Sequence, residues 1–120
     1  RARSEESAER LAKAVVSSSL VKAAMFGSDA NWGRVLCAMG YSKAPFRPRA
    51  CGRHLPVPGG SVPVCRRGTG LPFDEDAAKR ILSEKEVVIL VDLHGGGRAA
   101  ECWGCDLTYD YVQINGDYRT

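Results

Sequence analysis

The sequence lacks a long apolar run. No segment approaches the roughly 20 apolar residues that a membrane-spanning helix needs, and no secretory signal pattern opens the chain. We therefore expect no contact with a membrane. The 120 residues, 44% of them hydrophobic, suffice for one small domain with a single core. Because the first residue is Arg1 rather than Met, we expect residues 1–120 to be a fragment or a processed subunit.

Acidic residues are absent between Ala30 and Phe73. That stretch carries seven cations: Arg34, Lys43, Arg47, Arg49, Arg53, Arg66 and Arg67. A cationic patch is one mark of a nucleic-acid surface. Aromatic side chains, on which bases would stack, are sparse there. With a net charge of only +3, the stretch is better explained as a solvated loop, and we predict no nucleic-acid partner.

Proline is missing from most of the chain. All six prolines lie between Pro45 and Pro72, and a proline cannot donate to the hydrogen-bond ladder of an interior strand. We therefore predict that Lys43 to Gly70 is irregular, with strand character only at 62–65. Such a long structureless stretch is unusual in a compact domain. A binding loop, a disordered excursion and an error in the recorded sequence all remain open.

The rest of the chain carries helix and strand signals. Capping residues followed by apolar residues at helical spacing predict three helices, over Ser4–Ser18, Trp32–Met39 and Glu75–Ser83. The apolar segment Leu20–Phe26 is either a further helix or a buried segment. Two strands are predicted: Glu86–Leu93, covered on both faces because of its β-branched run, and an antiparallel partner at Ala99–Cys105. We predict an α+β fold, with helices packed on a mostly antiparallel sheet.

The last eighteen residues, Trp103 to Thr120, are dense in Tyr and Asp. Asp106 is placed to cap a helix, and Asn115-Gly116 is placed to end it in a left-handed conformation. Between them an apolar stripe recurs at helical spacing: Leu107, Tyr111 and Ile114. We therefore expect this C-terminal segment to be packed against the rest of the chain rather than frayed.

Asn115 and Thr120 are the residues best suited to bind a ligand. An Asn amide offers two donors and an acceptor, whereas Thr120 offers a hydroxyl and the carboxylate of the chain end, which suits an ammonium group. On residue type alone, a helix-capping Asn and a frayed terminus explain the same pair, and that alternative stays open.

Cysteine occurs five times, an odd number, with spacings that match no secreted disulfide framework. A soluble protein in a reducing compartment is expected. Cys102 and Cys105 have C-x-x-C spacing, and Cys51 with His54 would complete a Cys3His zinc set. The predicted strand points the first two thiols to different environments, so we favour two small buried residues. A small zinc-binding interaction module remains the alternative function.

The sequence also lacks a G-x-S-x-G nucleophile elbow. His94 and the three glycines after it resemble the oxyanion-hole motif of lipases, which works only with that elbow. We therefore predict a glycine turn at 94–97. Trp32 and Arg34 either stack over a ligand or belong to the core and an interface, and the second explanation is favoured.

Two long blocks of the sequence resemble signature blocks of one enzyme family. Residues 19–34 read SLVKAAMFGSDANWGR, and residues 103–115 read WGCDLTYDYVQIN. In content and order they are similar to the bifunctional ornithine acetyltransferase (glutamate N-acetyltransferase) family of arginine biosynthesis. Residues 72–82 also fit a helix of that family. The resemblance covers about three quarters of the chain and implies the C-terminal part of the β chain, within a larger αββα architecture.

This resemblance implies acetyl transfer from N2-acetyl-L-ornithine to L-glutamate, and some members also use acetyl-CoA. The family's precursor cleaves itself before a Thr that becomes the nucleophile of the second chain, and two α with two β chains form a heterotetramer. That Thr and the oxyanion residues would lie upstream, so we expect this chain alone to be inactive, with no catalytic residue, metal or cofactor of its own. The substrate-binding residues that map here are Asn115 and Thr120.

The chain departs from the family pattern at several positions. Gly116 stands where the family usually has Ala, and Arg119 stands where it has a small hydroxyl residue, so Arg119 is expected to perturb the binding of cationic ornithine. Residues 43–70 depart most, which we interpret as lineage-specific divergence or an error of reading frame. The compartment stays open, because members differ between plastid, mitochondrial matrix and cytoplasm.

Overall fold

The computed structural model describes residues 2–48, 52–57 and 60–118, and only the backbone of 52–57 and 60–61. The helices are α1 (Glu5–Ser17), α2 (Ser19–Phe26), α3 (Trp32–Gly40), α4 (Glu75–Leu82) and α5 (Tyr109–Asp117), and the strands are β1 (Gly52–Val57), β2 (Gly60–Arg66), β3 (Thr69–Gly70) and β4 (Leu90–Asp92). Helices with a small antiparallel sheet confirm the predicted α+β class. Within these ranges no helix combines the length and apolarity that a bilayer crossing requires.

Side-chain caps start the helices where the sequence predicts them. The residues immediately before α1, α3 and α4 accept hydrogen bonds from backbone N–H groups of the first turn: Ser4, Asn31 and Asp74. The Ser18 side chain likewise accepts from the N–H of Val21, 3.4 Å away. This cap decides the alternative left open for 20–26 in favour of a helix.

Two hydrophobic clusters form the interior. The first joins the first three helices to the end of β4 and contains Ala2, Leu11, Val15, Val21, Val35, Ala38, Met39, Ala44 and Leu93. The second lies between α4 and β2 and contains Val64, Ala78, Ile81 and Leu82. Trp32 and Phe73 pack at the margin of the second cluster. The loop between α2 and α3 therefore lies against α4, where the two clusters meet.

The strand character predicted at 62–65 is confirmed within β2. The prediction that the rest of Lys43 to Gly70 is irregular is wrong, because this stretch contributes β1, β2 and β3 to a four-stranded antiparallel sheet with the order β3-β2-β1-β4. Pro63 lies in β2 opposite His54, beside an irregularity of register at Arg53/His54. β3 pairs with β2 only at residues 65–66, so the outer edge of β2 at Pro63 is outside that pairing. A proline is tolerated at such an edge or bulge.

The strand predicted at 86–93 is shorter than expected. Only Leu90–Asp92 pairs, because β1 offers its backbone to β4 over three residues, Gly52, Arg53 and His54. Val88 and Leu90 are 57% and 51% exposed, so the prediction of cover on both faces is wrong. A β-branched run favours a strand, but β1 continues to Val57 without pairing with residues 87–89, so this run stays outside the sheet.

Residues 99–105 form no strand, which contradicts the second predicted strand. The antiparallel pairing here is a single bridge, in which Ala2 and Arg98 exchange N–H···O bonds of 2.7 and 3.0 Å. Past this bridge the chain runs beside α1, where the Cys102 thiol lies 3.9 Å from the carbonyl oxygen of Glu9. The start of the chain thus contacts this segment through the Ala2–Arg98 bridge and the Cys102 thiol, where pairing with β4 was expected.

Gly96→Ala is expected to lower the free energy of unfolding by about 1–3 kcal/mol. A Cβ at Gly96 would lie 2.5 Å from the carbonyl oxygen of Ala2 and 3.0 Å from the Cα of Arg3, so backbone must move and the bridge to Arg98 is lost. Gly97→Ala is the control, since nothing lies within 4 Å of its Cβ position. Urea unfolding compares the two variants, and equal losses would contradict the close contact at Gly96.

Candidate functional site

The segment that leads into α5 is held against α1 and α2. The N–H of Leu107 donates to the carbonyl oxygen of Lys22 at 3.2 Å, and Gly104 lies so close to α1 that a Cβ there would be 2.9 Å from the Cβ of Val16. The rings of Phe26 and Tyr109 then meet edge to face, with centroids 5.2 Å apart. These contacts fix the point from which α5 begins.

Thr108, rather than Asp106, caps α5. The Thr108 hydroxyl accepts from the N–H of Tyr111 at 2.9 Å, and the helix starts at Tyr109. The predicted cap at Asp106 is therefore wrong. Leu107, immediately before the cap residue, is held by the hydrogen bond from its N–H to the carbonyl oxygen of Lys22 in α2.

Asn115 and Gly116 lie inside α5 instead of ending it. The helix continues to Asp117 with Tyr118 as its C-cap residue, and Gly116 does not adopt a positive φ. The predicted left-handed stop is therefore wrong. Asn115 uses one amide N–H to reach the carbonyl oxygen of Tyr111 at 2.9 Å, one turn earlier in the helix.

Asn115 is an exposed amide on a helix of otherwise uncovered side chains. An Asn amide has two donors and an acceptor oxygen, so after its bond to Tyr111 one N–H and the oxygen can still meet a ligand. Thr120, its predicted partner, and Arg119 lie outside the described residues. Of the two predicted substrate-binding residues, the structure therefore describes Asn115, which lies on an exposed part of α5.

The expectation that the C-terminal segment is packed along its length is wrong. α5 has no buried residue, and the apolar stripe predicted to face inward is open, with Tyr111 53% and Ile114 67% exposed. Trp103, ahead of the helix, is exposed as well. Leu107 and Tyr109 contact α2, so α5 is anchored near its start and its later residues are exposed.

The cysteine pair does not form the two buried positions that were predicted. Cys102 is half-buried and Cys105 is exposed, and both are free thiols. Of the other ligands in the zinc hypothesis, Cys51 lies outside the described residues and only the backbone of His54 is described. Within the described part of the chain, no three His, Cys, Asp or Glu residues come together as metal ligands.

The two other sequence patterns have structural roles. The N–H of His94 donates to Asp92 Oδ1 at 2.9 Å, and His94 has a φ of 49°, which confirms a turn. Arg34 Nη1 donates to the carbonyl oxygen of Leu20 at 3.0 Å. The Trp32 indole lies against Gly70, where a Cβ would come within 2.9 Å of the ring. Trp32 and Arg34 therefore join elements of the fold, as the favoured explanation has it.

A cleft of about 690 Å³ lies between the α2–α3 loop and α4. Residues 27–33 form one wall, and Phe73 with the start of α4 forms the other. Its polar lining includes Asp29, Glu75, Asp76 and Lys79. The sequence predicts only a turn and a cap in this region, because the cleft arises from the packing of α4 against a loop that precedes it by more than forty residues.

Known proteins resemble this chain along its whole length. The model of the family described as the ArgJ family matches residues 1–120. The arginine biosynthesis bifunctional protein ArgJ 1 of Clostridium acetobutylicum is 53% identical over 119 residues, which are 99% of this chain and 29% of that protein. The ArgJ protein of Symbiobacterium thermophilum is 57% identical over 113 residues, 94% of this chain and 27% of the relative.

A solved structure shares the fold. The crystal structure of the arginine biosynthesis bifunctional protein argJ from Bacillus halodurans matches with a TM-score of 0.88 at 38% identity, over 98% of this chain and 54% of that chain. The 120 residues therefore span less than a third of the length of the curated relatives named above.

Proposed function

This chain belongs to the ArgJ family, and from that premise we propose that it is part of an acetyltransferase of arginine biosynthesis that moves an acetyl group from N2-acetyl-L-ornithine to L-glutamate. The observation that carries the proposal is the match along the whole chain, 53% identical over 119 residues, to a protein named for arginine biosynthesis. In this proposal the chain supplies one wall of the substrate site.

The proposed reaction has two acyl transfers. The hydroxyl of a Thr nucleophile attacks the acetyl carbonyl of N2-acetylornithine, an ester to that Thr forms, and the C–N bond breaks as ornithine leaves with a proton on its amine. The amine of glutamate then attacks the ester, takes the acetyl group and returns the proton to the Thr oxygen. Donors aimed at the carbonyl oxygen stabilise the charge that develops in both steps.

The proposed division of labour puts the chemistry outside these 120 residues. The chain spans 29% of the Clostridium acetobutylicum relative, so most of an ArgJ polypeptide is available to supply the nucleophilic Thr and the oxyanion donors. Asn115, with one N–H and an oxygen left for a ligand, is proposed to bind the amino-acid part of the substrate together with Thr120. The α chain in a heterotetramer of two α and two β chains, and acetyl-CoA as a second acetyl donor, belong to the same proposal.

Asn115→Ala in the whole ArgJ protein that carries this chain is expected to lower kcat/KM for N2-acetylornithine about tenfold, the effect of losing one hydrogen bond of about 1.4 kcal/mol. The matched control is Gln113→Ala, an exposed amide on the same helix, for which we expect a change within about twofold. Steady-state transfer to glutamate is the measurement. If Asn115→Ala acts like the control, the binding role of Asn115 is wrong.

The isolated 120 residues are expected to transfer no acetyl group, because the proposed nucleophile is not among them. Incubation of the isolated chain with N2-acetylornithine and glutamate, followed by chromatography of the amino acids, tests this. Acetylglutamate formed by the chain alone would contradict the division of labour. A whole protein that forms none would contradict the proposed function itself.

A further inference from the structure

One side of α5 is apolar and uncovered. Tyr111, Ile114 and Tyr118 recur at spacings of three and four residues, so they line one side of the helix and its C-cap, and they are 53%, 67% and 73% exposed. We name these three residues the α5 face. Asn115 follows Ile114 and lies four residues after Tyr111, so it belongs to the same side. Gln113 lies on the opposite side of the helix, whereas Asp110 and Asp117, four residues before and three residues after Ile114, flank the α5 face.

Contacts within the described chain are too few to explain why α5 is helical. The helix has nine residues and buries none of them, whereas isolated helices shorter than about 12–15 residues are marginal in water. Its anchors lie near its start, at Leu107 and Tyr109. Contiguous apolar surface of this kind marks a site of interaction with another part of a protein or a partner. The α5 face therefore needs a cover that the described residues do not provide.

We propose that the α5 face docks onto the part of the ArgJ polypeptide that lies outside this chain, and that this docking holds Asn115 at the substrate. The proposal rests on the proposed function. Ile114 and Tyr111 are then positioning residues, which act through the helix that carries Asn115.

The share of the relatives that this chain leaves unmatched argues for this occupant. Only 29% of the Clostridium acetobutylicum protein and 54% of the Bacillus halodurans chain are matched, so a large polypeptide of the same enzyme is available to cover the face. A second copy of this chain is the less suitable occupant. It would bring no part of the proposed acetyl-transfer site to Asn115, because the proposed nucleophile is not among these 120 residues.

Backbone hydrogen exchange tests the docking without any substrate. Exchange over residues 109–118 is compared between the isolated 120 residues and the whole ArgJ protein that carries them. We expect it to be at least tenfold slower in the whole protein, because a covered helix exchanges only when its cover opens. The amides of α1 serve as the internal reference for folding in both samples.

Two substitutions to Asp separate docking from a general effect of charge on the helix. Ile114→Asp in the whole protein places a carboxylate in the covered face, so we expect the protection of 109–118 to be lost. Gln113→Asp places the same group on the opposite side of the helix, so this variant should retain the protection. Ile114→Asp should also raise the KM for N2-acetylornithine. Ile114→Leu keeps the apolar volume, so it should retain both the protection and the unaltered KM.

Several outcomes would overturn the proposal. Equal exchange in the whole protein and in the isolated chain means that the α5 face stays uncovered. Protection that is already present in the isolated chain and grows with its concentration means that a second copy covers the face. Equal losses of protection in Ile114→Asp and Gln113→Asp would mean that the apolar side of α5 has no specific role in docking. Protection that depends on Ile114 in a protein without acetyl transfer would uphold the docking while the proposed function fails.

Discussion

Met39→Ala is expected to lower the free energy of unfolding by about 2–5 kcal/mol, the range for truncating a large buried side chain to Ala. Met39 lies in α3, is 1% exposed and belongs to the first hydrophobic cluster, which joins three helices to the end of β4. Removing its thioether arm leaves a cavity between elements that are fixed by their own caps and cannot close over it. Urea unfolding followed by circular dichroism measures the loss.

Met25→Ala is the matched control, because it removes the same atoms from a half-buried position at the margin of the second cluster. We expect a loss of about 1 kcal/mol, typical of a partly exposed site. The denaturant slope should be unchanged in both variants, since neither alters how much surface unfolding exposes. Similar losses for the two variants would mean that Met39 is not at the centre of the core.

The helices could be predicted because their signals are local. Ser4 and Asp74 each accept a hydrogen bond from their own first turn, so the residue that caps the helix is also the residue that marks it in the sequence. The apolar residues that follow at helical spacing, such as Leu11 and Val15, then enter the first cluster. Here the local and the tertiary interactions agree.

The sheet could not be predicted in the same way, because strand pairing depends on distant residues. Prolines argue against a strand only where both edges must be paired, and at Pro63 the short β3 does not reach. In the described chain the strong β-branched run at 87–89 pairs with no strand, although the adjoining residues 90–92 pair with β1 at 52–54. In both cases the pairing with a neighbouring strand decides the outcome, and the sequence of the strand itself does not specify that pairing.

The candidate site was located by its residues, but its conformation depends on tertiary contacts. Family resemblance singles out Asn115, which the structure places on an accessible helix. The segment before that helix is held by the hydrogen bond between Leu107 and Lys22, two residues that are far apart in sequence. Asp106 and Thr108 are both suitable capping residues, so capping rules applied to the segment alone do not choose between them.

Gly104→Ala in the whole ArgJ protein is expected to lower kcat/KM for N2-acetylornithine about 100-fold, the cost of a displacement of about 1 Å at a reacting site. A Cβ at Gly104 would lie 2.9 Å from the Cβ of Val16 and 3.1 Å from its carbonyl oxygen. Neither atom can yield without a shift of α1, so the segment that leads into α5 must move away. That movement displaces Asn115 as part of α5, whereas Asn115→Ala removes a single group.

Gly116→Ala is the control for this effect. It lies in the same C-terminal segment with nothing within 4 Å of its Cβ position, and Ala favours a helix interior over Gly by about 1 kcal/mol. We expect it to leave kcat/KM within about twofold of the unaltered protein. Because α5 adds no residue to either core cluster, Gly104→Ala should reduce activity far more than it reduces the free energy of unfolding. A loss of activity that only parallels a loss of folded protein would contradict the positioning role of the contact between Gly104 and Val16.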